Sequence, residues 1–241
     1  MQPFEGEGPA VVGHRGAPRV APENTPAAFA AAAEAGAAWV ELDARRAADG
    51  TVVVHHDPVT ADGLAIVSRS AAELAQLGVW ELGAILDGLP PGLGVDVECK
   101  NFPGHPDYDE DDALAHQVAA LLAARAGVRP FMTSSFNPVT VAVLAQVLPA
   151  VAAGQLYVEG LATEAAIGIA VQQGARVLCA PASARDLGAA AFAAAHEAGL
   201  AVMVWTVDDP DRATVLAEDG ADALCTNDPA GMVARLARRL T

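Results

Sequence analysis

Short apolar runs rich in β-branched residues alternate eight times with Ala-rich, helix-patterned stretches, and this alternation limits the possible folds more than any other feature. Strands are expected near Val11–His14, Trp39–Asp43, Gly94–Lys100, Phe131–Ser134, Ala152–Val158, Arg176–Ala180, Ala201–Val207 and Ala223–Thr226. Helices are expected near Pro26–Ala35, Ser70–Leu77, Asp111–Ala126, Pro138–Leu148, Thr163–Gln173, Ala184–Ala198, Pro210–Asp219 and Pro229–Arg239. Pro26, Pro138, Pro210 and Pro229 sit at first-turn positions, and Gly36, Gly127, Gly174, Gly199 and Gly220 follow helices. Eight strand–helix units predict an α/β fold, a (β/α)8 TIM barrel; an open doubly wound sheet would show the same alternation. The longest gap lies between the second and third strands. It holds Thr51–His55, which reads as a small extra hairpin strand in a short insertion. One domain over residues 1–241, with a core from about 11 to 239, fits this length.

Charged residues make up 18% and apolar residues 53%, which excludes a disordered chain. Cys99, Cys179 and Cys225 are odd in number and scattered, so no disulfide framework is expected. The opening MQPFEGEGPA lacks a secretory pattern, and no long uninterrupted apolar run predicts membrane insertion. A reducing cytoplasm is the expected compartment. The formal net charge is −16, which opposes binding to nucleic acid or to an anionic membrane. The same charge suits a bound cation, and it also serves solubility.

In a barrel of this kind the site lies at the carboxyl ends of the strands. The polar residues expected there are His14-Arg15, Glu41 and Asp43, His55-His56-Asp57, Glu98 and Lys100, Ser134-Ser135 and Trp205-Thr206. Glu41 and Asp43 are two apart and share one side of a strand, where two carboxylates repel unless a cation or proton joins them. Glu98 on the next strand completes three oxygen ligands, a set suited to Mg2+ or Ca2+ rather than zinc. The competing reading pairs these carboxylates with Arg45 or Arg46. His14 and His56 can flank one substrate as acid and base, and His55 must face away from its neighbour. Lys100 is the only lysine among 14 basic residues. With Arg15 it places positive charge at the same mouth, which fits a small anionic substrate carrying a phosphate. These two cations could equally do no more than neutralise the carboxylates beside them. His105, His116 and His196 read as loop or helix-surface residues. The run Asp107–Asp112 reads as helix N-terminal charge, and Asn24 or Thr25 as an N-cap.

HRG at 14–16, PENT at 22–25, ELDAR at 41–45, HD at 56–57, VECK at 97–100, SSFNP at 134–138, WTVDDP at 205–210 and TNDP at 226–229 together resemble the glycerophosphodiester phosphodiesterase family. The resemblance implies a (β/α)8 barrel and metal-dependent cleavage of glycerophosphodiesters to glycerol 3-phosphate and an alcohol. By motif it makes His14 and His56 the acid–base pair and Glu41, Asp43 and Glu98 the ligands of one divalent cation, Mg2+ or Ca2+. Arg15, Lys100 and Trp205 then bind substrate. The segment between His56 and Glu98 is short for that family, and Asp208 stands where Asn is common. A related lipid or lysophospholipid phosphodiesterase, a metal-dependent carbon–carbon lyase and a non-catalytic phosphate-binding barrel are the other readings.

Overall fold

The computed structural model describes residues 3, 4, 6 and 8–237. Eight parallel strands close into a barrel: β1 (Ala10–Gly13), β2 (Trp39–Arg46), β5 (Gly94–Cys99), β6 (Phe131–Ser135), β7 (Ala152–Leu156), β8 (Val177–Pro181), β9 (Ala201–Trp205) and β10 (Ala223–Thr226). β1 pairs with both β2 and β10, which completes the ring and removes the open-sheet alternative. Two further strands, β3 (Val52–Val54) and β4 (Trp80–Glu81), extend antiparallel from the upper part of β2.

The helices are α1 (Pro26–Glu34), α2 (Ala71–Ala75), α3 (Leu82–Gly88), α4 (Ala113–Ala123) and α5 (Pro138–Val147). They continue with α6 (Thr163–Gln172), α7 (Ala189–Glu197), α8 (Pro210–Asp219) and α9 (Pro229–Ala237). Local chemistry sets their ends. Thr25 caps α1 by accepting from the Ala28 N–H, Ser70 and Glu73 form a capping box on α2, and Asn137 and Asp209 cap α5 and α8. Each cap satisfies backbone donors that a helix start leaves without partners.

Several expected boundaries shift. The hairpin strand expected over Thr51–His55 is β3, and β4 and α3 beside it were not anticipated. α7 begins at Ala189 rather than Ala184, because the residues before Gly188 form turns. α4 begins at Ala113, since Asp112 is in the left-handed region at φ 53°. Residues 238 and 239, expected at the end of α9, lie outside the described residues.

Two cores result from the alternation of side chains along each strand. Outward residues such as Val40, Leu42, Val95, Val97 and Leu178 pack against the helices. Inward residues, among them Trp39, Met132, Val177, Met203 and Cys225, fill the barrel itself. Large and small residues face each other at its base. A Cβ on Gly94 would lie 2.3 Å from the Trp39 ring, so only glycine fits opposite that indole. Phe4 closes the base by meeting Trp39 edge-on at 5.4 Å between ring centroids. With the lower barrel filled by apolar side chains, inward polar groups are confined to the upper rungs.

Candidate active site

Those upper rungs carry the chemistry. The inward positions of β2 run Trp39, Glu41, Asp43, Arg45, and those of β5 and its end run Gly94, Asp96, Glu98, Lys100. Parallel pairing sets Glu41 beside Asp96 and Asp43 beside Glu98. Glu41, Asp43, Asp96 and Glu98 are all buried. One oxygen from each of Glu41, Asp43 and Glu98 lies within 4.8 Å of the others. These three meet as the sequence predicts. Asp96 was not anticipated, although its period-two spacing from Glu98 marks it.

So much buried negative charge shifts the carboxyl groups strongly. Burial, with Asp43 and Glu98 beside it, drives Glu41 well above the ordinary range. Burial likewise raises Asp96 to about 7, against one hydrogen bond from Ser134 at 3.1 Å. Burial opposes ionisation of Asp43 too, but Lys100, Arg15 and the Asn24 amide outweigh it and hold that carboxyl low. The Lys100 ammonium reaches Asp43 Oδ1 at 2.9 Å and Glu98 Oε1 at 2.7 Å. Arg15 Nε is 3.3 Å from Asp43 Oδ2, and Arg15 Nη1 is 3.0 Å from Glu23 Oε1. Both cations therefore neutralise carboxylates here while also lining the cavity above them.

The loop after β1 folds over this cluster. Arg15 has φ 54°, and its N–H donates to Glu41 Oε2 at 2.9 Å. Gly16, at φ 90°, lies so close to the backbone of Ala28 that a Cβ would approach it to 2.6 Å. Asn24, also at positive φ, is not the helix cap. Its amide donates to Asp43 Oδ2 at 2.7 Å, and its oxygen accepts from the Asp43 N–H at 3.3 Å. Thr25 takes the capping role.

Arg45 does not pair with Glu41 or Asp43, nor does Arg46. Arg45 is buried and donates from Nε and Nη2 to the His56 carbonyl, at 2.9 and 2.6 Å, and from Nη1 to Asp107 Oδ2 at 2.6 Å. Arg46 meets Asp109 at 3.1 Å. The acidic run thus does more than charge a helix start. Asp107 and Asp109 tie the loop before α4 to β2, and Asp112 accepts from Thr140 Oγ1 at 2.7 Å. Partners 62 residues apart in sequence leave no local signal of this pairing.

His14 and His56 both line an inner chamber of about 130 Å³, together with Glu41, Glu98, Lys100 and Trp205. Their second partners differ. His14 Nδ1 is 2.8 Å from Asn227 Oδ1, whereas His56 Nδ1 is 2.8 Å from Asp57 Oδ1. Burial lowers the pKa of both imidazoles, and Arg15 lowers that of His14 further. His55 lines neither this chamber nor the one beside it, and its Nδ1 accepts from the Asp57 N–H at 3.2 Å. Trp205 donates its indole N–H to the Cys179 carbonyl at 3.0 Å and stands edge-on to Phe136 at 5.4 Å, so it forms an apolar wall.

A second chamber of about 300 Å³ opens beside the first and shares His56, Glu98, Lys100 and Phe136 with it. Phe102, Val158 and His105 line its outer side. His105, read from sequence as a plain loop residue, tilts against Phe102 at 5.6 Å. A larger cavity, about 650 Å³, lies at the opposite end of the barrel around Trp39 and Ala152, away from the carboxylates and histidines.

The donor set fits a divalent cation. Three buried carboxylates from adjacent strands converge, and Glu41 Oε1 has no hydrogen-bond partner among the described residues. All-oxygen ligands suit a hard ion such as Mg2+ or Ca2+.

Residues 14–231 match the family model of the glycerophosphoryl diester phosphodiesterase family, and the chain belongs to that family. A Mycobacterium tuberculosis protein named probable glycerophosphodiester phosphodiesterase 1 is 43% identical over 86 residues, which cover 34% of this chain and 31% of that protein. The match therefore spans about a third of that relative. A phosphodiesterase from Oleispira antarctica, solved in complex with the product sn-glycerol-3-phosphate, superposes with a TM-score of 0.82. It is 23% identical, with 95% of this chain and 97% of that chain covered. A glycerophosphodiester phosphodiesterase from Thermotoga maritima gives a TM-score of 0.77 at 23% identity, covering 98% of this chain and all of the other. At these identities the likeness establishes the barrel. No helix among the described residues is long and apolar enough to cross a membrane.

Proposed function

We propose that this protein hydrolyses glycerophosphodiesters to glycerol 3-phosphate and an alcohol. One observation carries the reading: two histidines and two cations line the same small chamber as Glu41 and Glu98, which converge with the buried Asp43 carboxylate. Family membership and the product named for the Oleispira antarctica relative support the same substrate class.

Each residue then has a task set by its chemistry. Glu41, Asp43 and Glu98 hold one divalent cation, Mg2+ or Ca2+. When bound, that ion supplies electrostatic stabilisation to the phosphoryl oxygens. Arg15 and Lys100 bind the phosphate from the chamber wall, and Trp205 offers an apolar face to the glycerol carbons. One histidine takes a proton from the nucleophile, water or the substrate's own hydroxyl, and the other gives one to the departing alkoxide. His56 lines both chambers, so an alcohol leaving past it enters the outer one. The net charge of −16 favours small soluble diesters over anionic lipid surfaces. The proposed compartment is the cytoplasm, where three unpaired buried thiols stay reduced.

The test is to incubate the purified protein with a panel of glycerophosphodiesters, with and without Mg2+ or Ca2+, and to measure glycerol 3-phosphate. Cation-dependent release supports the reading, and phosphate-ester binding without turnover in excess cation contradicts it.

A further inference from the structure

A chain of hydrogen bonds runs behind His14 from the ends of β9 and β10. The His14 N–H donates to the Thr226 carbonyl at 2.9 Å, which fixes its backbone to β10. Its Nδ1 meets Asn227 Oδ1 at 2.8 Å. Asn227 Nδ2 in turn donates to Asp208 Oδ2 at 2.7 Å. The other oxygen, Asp208 Oδ1, accepts from Thr226 Oγ1 at 3.0 Å and from the Asn227 N–H at 2.8 Å. Asp208 is thereby held by three hydrogen bonds.

Donor and acceptor rules give this chain a direction. An ionised carboxylate only accepts, so the Asn227 amide must turn its NH2 toward Asp208 and its oxygen toward His14. An amide oxygen also only accepts, so the proton of neutral His14 must sit on Nδ1. The Nε2 lone pair is then free to take a proton in the chamber. The reversed amide would present N–H to Nδ1, put the proton on Nε2 and block that edge of the ring. His56 differs, because its Nδ1 partner is a carboxylate with no amide between.

We infer that Asp208 is a positioning residue: by orienting the Asn227 amide it fixes His14 in the Nδ1–H tautomer, with Nε2 as the proton acceptor. The inference rests on the reading of His14 as an acid–base catalyst. Burial opposes ionisation of Asp208, but hydrogen bonds from Asn227 and Thr226, and the charge of Arg19, keep it below the usual carboxyl range. Arg19 lies 3.6 Å from Asp208 and 3.1 Å from Asp228, so it keeps a partner if Asp208 is replaced.

Two variants and two readouts test it. Nitrogen-15 spectra of histidine-labelled protein at about pH 8, above the ordinary histidine pKa, report the tautomer directly. Wild-type His14 should show a protonated Nδ1 and a bare Nε2. Asp208→Ala should lose that single tautomer and lower kcat about 10-fold or more, with KM changed by less than about 2-fold. The double variant Asp208→Asn/Asn227→Asp exchanges carboxylate and amide. The new carboxylate accepts from Nδ1–H, and the new amide donates to it from behind while its oxygen still accepts from Thr226. This variant should restore the Nδ1–H tautomer and most of kcat. An unchanged tautomer and kcat in Asp208→Ala would overturn the inference. So would a lost kcat with the tautomer intact, which marks a merely structural role, or a double variant holding the Nε2–H form. If wild-type protein cleaves no diester, the proposed function fails instead, and the wild-type spectrum still decides the orientation of Asn227.

Discussion

At the scale of single residues, the site separates groups that sequence treats alike. His55 and His56 are neighbours, yet only His56 lines the chambers. His14→Ala and His56→Ala should each lower turnover about 10²-fold or more, and His55→Ala far less. Steady-state kinetics on the three variants check this, and a more damaging His55 variant would reverse the assignment. Lys100 is equally particular. Its compact ammonium touches Asp43 and Glu98 within 2.9 Å, whereas a planar guanidinium is longer and needs a fork of partners. Lys100→Arg and Lys100→Ala should both lose about 10-fold or more in kcat, equivalent to about 1.4 kcal/mol. Near-normal turnover in Lys100→Arg would show that charge alone is required. The pH profile follows from burial. Burial disfavours the imidazolium of His14 and Arg15 adds to that, so its pKa lies below the ordinary 6.5. As the group that must be neutral to accept a proton, it should place the acid limb of kcat/KM below pH 6.5, with activity lost as pH falls through that limb. His14 and His56, with Glu41, Asp43 and Glu98, were legible because motif and strand spacing point to them. Asn24 and Asn227 were not, since an amide in a loop carries no sign of the carboxylate or imidazole it will meet.

At the scale of elements, two neighbouring strands and one loop do most of the positioning. β2 and β5 alternate apolar and acidic positions in register, so a glycine at their base and carboxylates near their tops belong to one ladder. Gly94→Ala pushes a Cβ to 2.3 Å from the Trp39 ring and should destabilise the barrel by about 1–3 kcal/mol, read by denaturant unfolding. The loop before α4 is fixed through Asp107. Asp107→Ala would leave the Arg45 guanidinium buried without its carboxylate and should cost about 3–5 kcal/mol, while loosening the His56 carbonyl that Arg45 also holds. A stability equal to wild type would show that Arg45 finds another partner. The eight strand–helix units were readable because proline starts and glycine stops punctuate a strict apolar period. The hairpin region was only half readable. β4 is two residues long and exposed, too short for any periodicity, and α3 follows it without a capping side chain.

At the scale of the whole molecule, the barrel divides its interior by polarity. The lower part is filled by apolar side chains, and the upper part gathers buried acid groups against which one ammonium and one guanidinium are set. Closure was the part of the fold that sequence left open, because the β1–β10 contact joins residues more than 200 apart and no local pattern reports it. A molecule that concentrates so much buried carboxylate should be stabilised by the cation it collects. Mg2+ or Ca2+ should therefore raise Tm, and Glu41→Gln or Glu98→Gln should remove the rise. The central claim is that this acidic, histidine-flanked chamber cleaves phosphodiesters only with a cation held by its carboxylates. The most direct measurement is glycerol 3-phosphate release from a soluble glycerophosphodiester by chelated protein, before and after Mg2+ or Ca2+ is returned, beside Glu98→Gln. The account predicts no release after chelation, recovery on return of the ion and none at either step in the variant; full release in excess chelator would contradict it.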